Sequence, residues 1–435
     1  MGISCKLPRD RPTAWGNHVQ DTIAARPSWG HRLGGIEGLR GVAAVIVVFY
    51  HLGLTASFHL LTGPLEVAFT LFNQGLTLFF VLSGFLLYRP FVSAIMQGKP
   101  LPSIRRYAYN RLLRIYPVYI VIFVVTGILV GAVYLKGSTH GFGPDNIGRL
   151  TDPLKIAANA LLVQMFIPQY VMSGLPVSWS LTAEITFYFV LPLVAVLALW
   201  RIRKGANNTS ALVWGPFAMV VVSLGIAAWS NDAASRMGSD EAGEFRFGQT
   251  GSAVLLRSFL AHADLFAYGM LAAVAVVLLH QRGVQRVHTG IKAAIVFGAA
   301  LLVFIGIVLA RPALSHLSGV AAALGLVAVV LPSSSRNGSL NRAARVLEWL
   351  PFRFTGVISY SIYLWHLPII FWLITHHRTF GQDSVSVALN GLLVLAITLP
   401  LSALTYYAVE RPAMKLKKSM VKTKKAETEL APIPR

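Results

Sequence analysis

Residues 36–58 read IEGLRGVAAVIVVFYHLGLTASF, and this stretch decides the fold class. A helix needs about 20 mostly apolar residues to cross a bilayer, and this run supplies them. Nine further stretches repeat the pattern: 70–92, 115–135, 178–200, 212–230, 260–280, 290–310, 315–332, 355–376 and 386–409. A shorter apolar run, 154–168, is too short to span and is expected to lie on, or dip into, the interface. The reading is an all-α polytopic membrane protein with about ten transmembrane helices. It divides into an N-terminal tail (1–35), a transmembrane domain (36–410) and a basic C-terminal tail (411–435).

Composition agrees with these spans. Of the 435 residues, 55% are hydrophobic and only 13% charged, with a mean hydropathy of +0.62. Soluble domains carry about 25% charged residues, so a water-soluble enzyme is excluded. The first 35 residues lack an apolar core, so they read as a tail and not a cleavable signal. One cysteine, Cys5, excludes a disulfide framework and a cysteine-based metal cage.

The net charge of +21 is a topology signal. With an inside N-terminus, the proposed cytoplasmic segments hold 27 Lys and Arg and the outer segments 8. That asymmetry places both termini in the cytoplasm and speaks against nucleic acid as the reason for the charge. The run 415–425 (KLKKSMVKTKK) reads as an anchor at anionic lipid. The sequon Asn207-Asn208-Thr209 falls on an inner loop, where glycosylation is not expected.

Ionisable residues inside spans are costly, so each is a functional candidate. Arg40 and His51 are eleven residues apart, nearly three whole turns, and share a helical face about 16 Å apart along the axis. A snorkelling arginine with an interfacial histidine would give the same spacing. Before span three, Arg105 and Arg106 precede Arg111 and Arg114, which share a face at i and i+3 and make a fork for phosphates or lipid headgroups. At the outer start of span four stand Trp179, Ser180, Thr182 and Glu184. Read at a similar depth, Glu184 would orient His51 as a general base or form a structural hydrogen bond. Span nine carries Tyr360, Tyr363 and His366, with Pro368 able to kink the helix near a cavity. Lesser signals are Asp264 with His262, two apart and on different faces, and Ser83-Gly84, a small pair suited to close helix packing. No spacing supplies a metal site.

Together these places resemble the acyltransferase-3 family of bacterial integral-membrane O-acyltransferases. The matching motifs, in order, begin with Ile36-Glu37-Gly38-Leu39-Arg40-Gly41 through to His51. Phe79-Phe80-Val81-Leu82-Ser83-Gly84-Phe85, Arg111 to Pro117 with Tyr116, and Trp179 to Glu184 follow. Tyr360 to His366 and Glu410-Arg411-Pro412 complete the series. The resemblance covers about 32–412. It resembles the stand-alone form, because only about 25 residues follow the last span, too few for the SGNH hydrolase-like domain of some members. It implies transfer of an acyl group, most often acetyl, from acyl-CoA to a hydroxyl of a carbohydrate, glycolipid or glycosylated metabolite at the cytoplasmic membrane of a bacterium. It further implies that Arg40 and His51 are essential and that the Arg111 and Arg114 pair meets the acyl donor; on the residue reading Glu184 joins them as the catalytic partner that orients His51. Donor contacts would come from Arg111, Arg114, Arg106 and Tyr116, and acceptor contacts from Trp179, Ser180, Tyr360, Tyr363, His366 and Asp264. The expected partners are membrane lipids and the acceptor, with no metal and no nucleic acid. A second reading from the residues alone is a proton-coupled transporter using the intramembrane His and Glu. Against it, no second copy of the span-one or span-four motif is present.

Overall fold

The computed structural model describes residues 33–55, 64–136, 144–284, 287–331, 342–381 and 384–416. Most of both tails, with Cys5 and nearly all of the basic run, therefore lies outside the described residues. The chain separates into Met1–Leu33 and Gly34–Arg435, and the proposed spans all belong to the second unit.

That unit is almost entirely helical, as a lipid-embedded chain must be, because no water is available there to satisfy backbone N–H and C=O groups. Its main helices are α1 (Ile36–Thr55), α2 (Gly75–Met96), α3 (Ile104–Phe123), α4 (Pro153–Ala160), α5 (Ser178–Arg203), α6 (Asn208–Ser235), α7 (Ala263–Gln281), α8 (Thr289–Val308), α9 (Leu314–Val330), α10 (Leu350–Val357), α11 (Ser359–Thr375) and α12 (Ser384–Thr405). Among the described residues, nine helices are long and apolar enough to cross a membrane, and α10 with α11 forms a tenth, bent candidate. Side chains mark where helices start. Asp152 Oδ1 accepts from the amide of Leu154 at 2.9 Å to open α4, and Asn207, inside the sequon, accepts from Ser210 at 2.7 Å to open α6.

Helix α7 lies at the centre, with 67% of its apolar stretch buried, whereas α8 lies at the rim with 11%. Gly84 of α2 and Gly269 of α7 set the central contact. A Cβ at Gly84 would stand 2.0 Å from the Phe266 carbonyl oxygen, and one at Gly269 the same distance from that of Val81. Small residues let two backbones approach without a hydrophobic driving force, as the Ser83-Gly84 pair suggested. Gly356 of α10 likewise faces the Glu37 carbonyl, which holds α10 against the Arg40 end of α1.

Two expectations about element boundaries change. Helix α3 begins at Ile104, eleven residues before the expected span, so the arginine cluster lies on the helix and not in a loop before it. Ser103 caps it, and the cations can extend the helix because their stems cover apolar surface. Span nine is broken, with a 75° bend between α10 and α11 at Ile358. Pro368 lies inside α11, ten residues past the break. The segment before α5 is tied to the bundle by its polar groups while Leu154, Leu161 and Phe166 stay exposed: Asn159 and Gln164 have no exposed surface, Tyr119 Oη donates to the Asn159 carbonyl at 2.8 Å, and Gln164 Nε2 donates to Ser178 Oγ at 2.8 Å. Helix α5 consequently begins within the bundle.

Candidate active site

One cleft is bordered by the helices that carry the ionisable residues. Arg40 enters from α1, Arg111 and Arg114 from α3, Ser180 and Glu184 from α5, and Tyr360 and Tyr363 from α11. Helical spacing explains the selection. Arg111 and Arg114 are i, i+3, as are Tyr360 and Tyr363, while Ser180, Glu184 and Tyr188 follow at i, i+4 and i+8.

None of the guanidiniums of Arg40, Arg111 and Arg114 donates a hydrogen bond to a protein acceptor among the described residues. Arg111 Nε is buried and without a partner. Arg40 feels the charges of Arg114, Glu184 and Glu410. Three cations against two carboxylates leave the cleft net positive. Arg111 also lies over the Tyr107 ring, 5.8 Å from its centroid, a stacking contact that limits its swing.

Glu184 is fixed by hydroxyls. Its Oε1 accepts from Tyr188 Oη at 2.7 Å and from Ser83 Oγ at 3.0 Å. The structure brings Glu184 within electrostatic reach of Arg40 and, among the described residues, gives it no hydrogen bond to His51. His51 instead meets His366: Nδ1 of His51 and Nε2 of His366 are 3.2 Å apart, and the ring centroids 4.9 Å. His51 Nδ1 also lies 3.0 Å from the Val47 carbonyl oxygen. The pair adjoins the cleft through Tyr363, whose ring is 5.8 Å from that of His366 and 6.0 Å from that of Phe79. Tyr363 Oη is held by Ser180 Oγ at 2.6 Å and donates to the Val177 carbonyl at 3.0 Å. Tyr360 Oη donates to the Ile115 carbonyl at 2.8 Å.

Six of the expected site residues do not border the cleft: His51 and His366, which adjoin it through Tyr363, and four others. Arg106 is exposed in the first turn of α3, about 140° around the helix from Arg111. Tyr116 lies about 160° from Arg114 by the same arithmetic, so Ile115 faces the cleft in its place. Trp179 packs against Phe80 and His262, with centroids 6.2 and 4.9 Å away. Asp264, with no exposed surface, belongs to a separate cluster, where it accepts from Ser223 Oγ at 2.7 Å and pairs with His316 Nδ1 at 2.7 Å.

Reasoning from spacing missed Ser83, Tyr188 and Glu410 as parts of the site. Tyr188 was accessible as the i+4 neighbour of Glu184. Glu410 was not, because its inward turn comes from a π-helical segment, Tyr406–Glu410, at the end of α12, and its Oε2 accepts from Ser361 Oγ at 3.3 Å. Among the described residues no group of three or more His, Cys, Asp or Glu converges as metal ligands would.

Comparison with known proteins bears on this geometry. The acyltransferase domain model of the acyltransferase-3 family matches residues 33–407. The acyltransferase MdmB of Streptomyces mycarofaciens is 28% identical over 198 residues, 43% of this chain and 46% of that protein. BcsY of Komagataeibacter xylinus, described as a membrane-bound transacylase, is 26% identical over 388 residues, 87% of this chain and 82% of its own. YrhL of Bacillus subtilis (strain 168), described as a peptidoglycan O-acetyltransferase, is 37% identical over 87 residues, 20% of this chain and 12% of its own. The chain thus spans less than half of the first relative and most of the second, and no solved structure matches. With six motifs in order and a family match over nearly its whole length, this chain belongs to the acyltransferase-3 family.

Proposed function

We propose that this protein is a membrane O-acyltransferase that moves an acyl group, acetyl in the first instance, from acyl-CoA to a carbohydrate or glycolipid hydroxyl. The observation that carries the reading is the net-positive cleft, where three guanidiniums have no protein acceptor and one, Arg111, has a buried unpartnered Nε. Such a cleft calls for an anion, and paired arginines suit the phosphates of a CoA donor. Arg111, Arg114 and Arg40 would hold those phosphates. Glu184, locked by Tyr188 and Ser83, would keep Arg40 extended across the cleft.

In this reading His51 acts as general base. The acceptor hydroxyl loses its proton to the imidazole as its oxygen attacks the thioester carbonyl. The C–O bond forms, the C–S bond breaks, and the departing sulfur takes the proton back from His51. The arginine-bearing end would face the cytoplasm of a bacterial cell, where acyl-CoA resides. That orientation agrees with the excess of Lys and Arg on the same side of the spans. The peptidoglycan O-acetyltransferase among the relatives supports a carbohydrate acceptor.

Membranes containing the protein, supplied with radiolabelled acetyl-CoA, should incorporate label into an extractable carbohydrate or glycolipid fraction. His51→Ala, inserted to normal levels, should abolish incorporation. Full incorporation by that variant removes His51 from the chemistry. No incorporation by the wild type from acetyl-CoA or longer acyl-CoA donors overturns the proposed activity.

A further inference from the structure

We propose that His366 is a positioning residue that keeps the proton of His51 on Nδ1 and leaves Nε2 of His51 as the reacting atom. The inference rests on the reading of His51 as the catalytic base, and it says which nitrogen acts and what selects it.

Two backbone carbonyls determine the proton positions. A carbonyl oxygen only accepts, so the contact between His51 Nδ1 and the Val47 oxygen, 3.0 Å, requires a hydrogen on that nitrogen. His366 Nδ1 lies 3.2 Å from the Ile362 oxygen and requires one for the same reason. The neutral form of His366 therefore presents a bare Nε2, which faces His51 Nδ1 at 3.2 Å as an acceptor. The Nδ1–H of His51 is shared between the Val47 oxygen and His366 Nε2, and the His366 ring is neutral. Protonating His366 at Nε2 would set two N–H groups against each other. Moving the His51 proton to Nε2 would set lone pair against lone pair at both contacts. One arrangement satisfies all three distances.

The result has a direction. Nε2 of His51 makes no hydrogen bond to a protein group among the described residues, and His51 is only partly buried, whereas His366 has no exposed surface. The buried ring is thus the fixed partner and the accessible ring the reacting one. When Nε2 takes the acceptor proton, the charge of the imidazolium is shared through Nδ1–H with two acceptors already in place, so no reorganisation is needed at that moment. The proton then leaves from Nε2 to the departing sulfur, while the Nδ1 proton stays where it was. This is the place a carboxylate fills in a serine-protease triad, here taken by a neutral imidazole held by its own backbone. Glu184, hydrogen-bonded to Ser83 and Tyr188, is not in that place.

The test uses the full chain in nanodiscs, with histidine labelled by nitrogen-15 and His51→Ala to assign the signal. Long-range proton–nitrogen spectra should show His51 in the wild type as the Nδ1–H tautomer. In His366→Leu, which offers no acceptor, His51 should become a mixture of tautomers. In His366→Gln, whose amide oxygen can accept, it should keep Nδ1–H. A carboxylate in the orienting place is worth about 10⁴ in rate. Without the charge, His366→Leu should lower kcat for acetyl transfer from acetyl-CoA roughly 10- to 100-fold, with the donor KM within about twofold and most of the loss recovered in His366→Gln. A wild-type His51 in the Nε2–H form, or a His366→Leu variant that keeps both tautomer and rate, overturns the proposal. The tautomer is read without turnover, so a failure of the acyltransferase reading leaves this result interpretable. A His51→Ala variant at full rate would sink that reading separately.

Discussion

Replacing the paired arginines of α3 tests the donor site. Among the described residues neither Arg111 nor Arg114 has a protein acceptor to lose, so Arg111→Ala and Arg114→Ala should leave folding intact and act on the ligand. A hydrogen bond to a charged group contributes about 1.5–3 kcal/mol, and about 1.4 kcal/mol is a factor of ten. Each change should therefore raise the KM for acetyl-CoA roughly 10- to 100-fold, with a smaller effect on kcat. The double variant should lose less than the product of the two, because both guanidiniums face one cleft and share one ligand. Arg114→Lys keeps the charge but loses the planar fork, and should fall between wild type and alanine. The decisive assay compares acetyl-CoA with acetyl-pantetheine, which carries the same thioester without phosphates. Wild type should prefer acetyl-CoA strongly, and Arg111→Ala/Arg114→Ala should lose that preference while using acetyl-pantetheine at the wild-type rate. Raising the salt should erode the wild-type preference as well, since partly exposed charges are screened. If the double variant still prefers acetyl-CoA to the wild-type degree, the guanidiniums do not hold the phosphates and the assignment of the cleft fails.

Two further outcomes rest on the packing. Gly84→Ala places a Cβ against the Phe266 carbonyl, so α2 and α7 must separate, and overpacking of this kind costs about 1–3 kcal/mol; the thermal melt in detergent should fall, and an unchanged melt refutes the close approach. Asp264→Ala removes the buried acceptor of the Ser223 hydroxyl and the partner of His316, which costs about 1–3 kcal/mol, and should lower the melt while the donor KM stays at the wild-type value. A raised donor KM or a lost kcat with an unchanged melt would instead place Asp264 in the substrate site.

The elements were readable from the sequence because lipid imposes one simple rule, a long apolar helix, on every span. Depth was not. Arg40 and His51 lie on one continuous helix, so eleven residues fix their separation directly. Glu184 and His51 lie on different helices, and their relative height depends on where α5 begins. That start is set by Asn159 and Gln164, polar residues buried in a segment whose apolar character suggested an interfacial position. Likewise Pro368 drew attention to the middle of span nine, while the 75° break lies ten residues earlier, at Ile358, which is neither proline nor glycine. Residues on the same helix were grouped correctly by spacing, as Arg111 with Arg114 and Tyr363 with His366 show. Partners across helices, such as His51 with His366 or Glu184 with Ser83, required the packing.

The two ends of α1 carry different chemistry, and the proposed donor divides in the same way. Arg40 sits among Arg114, Glu184 and Glu410, and His51, about 16 Å further along the axis, sits against His366. Between those levels a run of rings, Phe79 to Tyr363 to His366, leads from the cleft wall to the histidine pair. In acyl-CoA the phosphates and the thioester are separated by the pantetheine arm, an extended, flexible chain. A base at the level of Arg40 would meet phosphates, whereas a base one arm's length away meets the thioester. The spacing also sets orientation. Eleven residues leave His51 about 20° from Arg40 around the helix, whereas ten or twelve would turn it by about 100° away from His366 and remove the contact that fixes its tautomer. The interval between the arginine and the histidine is thus constrained twice, by the reach of the donor and by the position of the neighbouring imidazole.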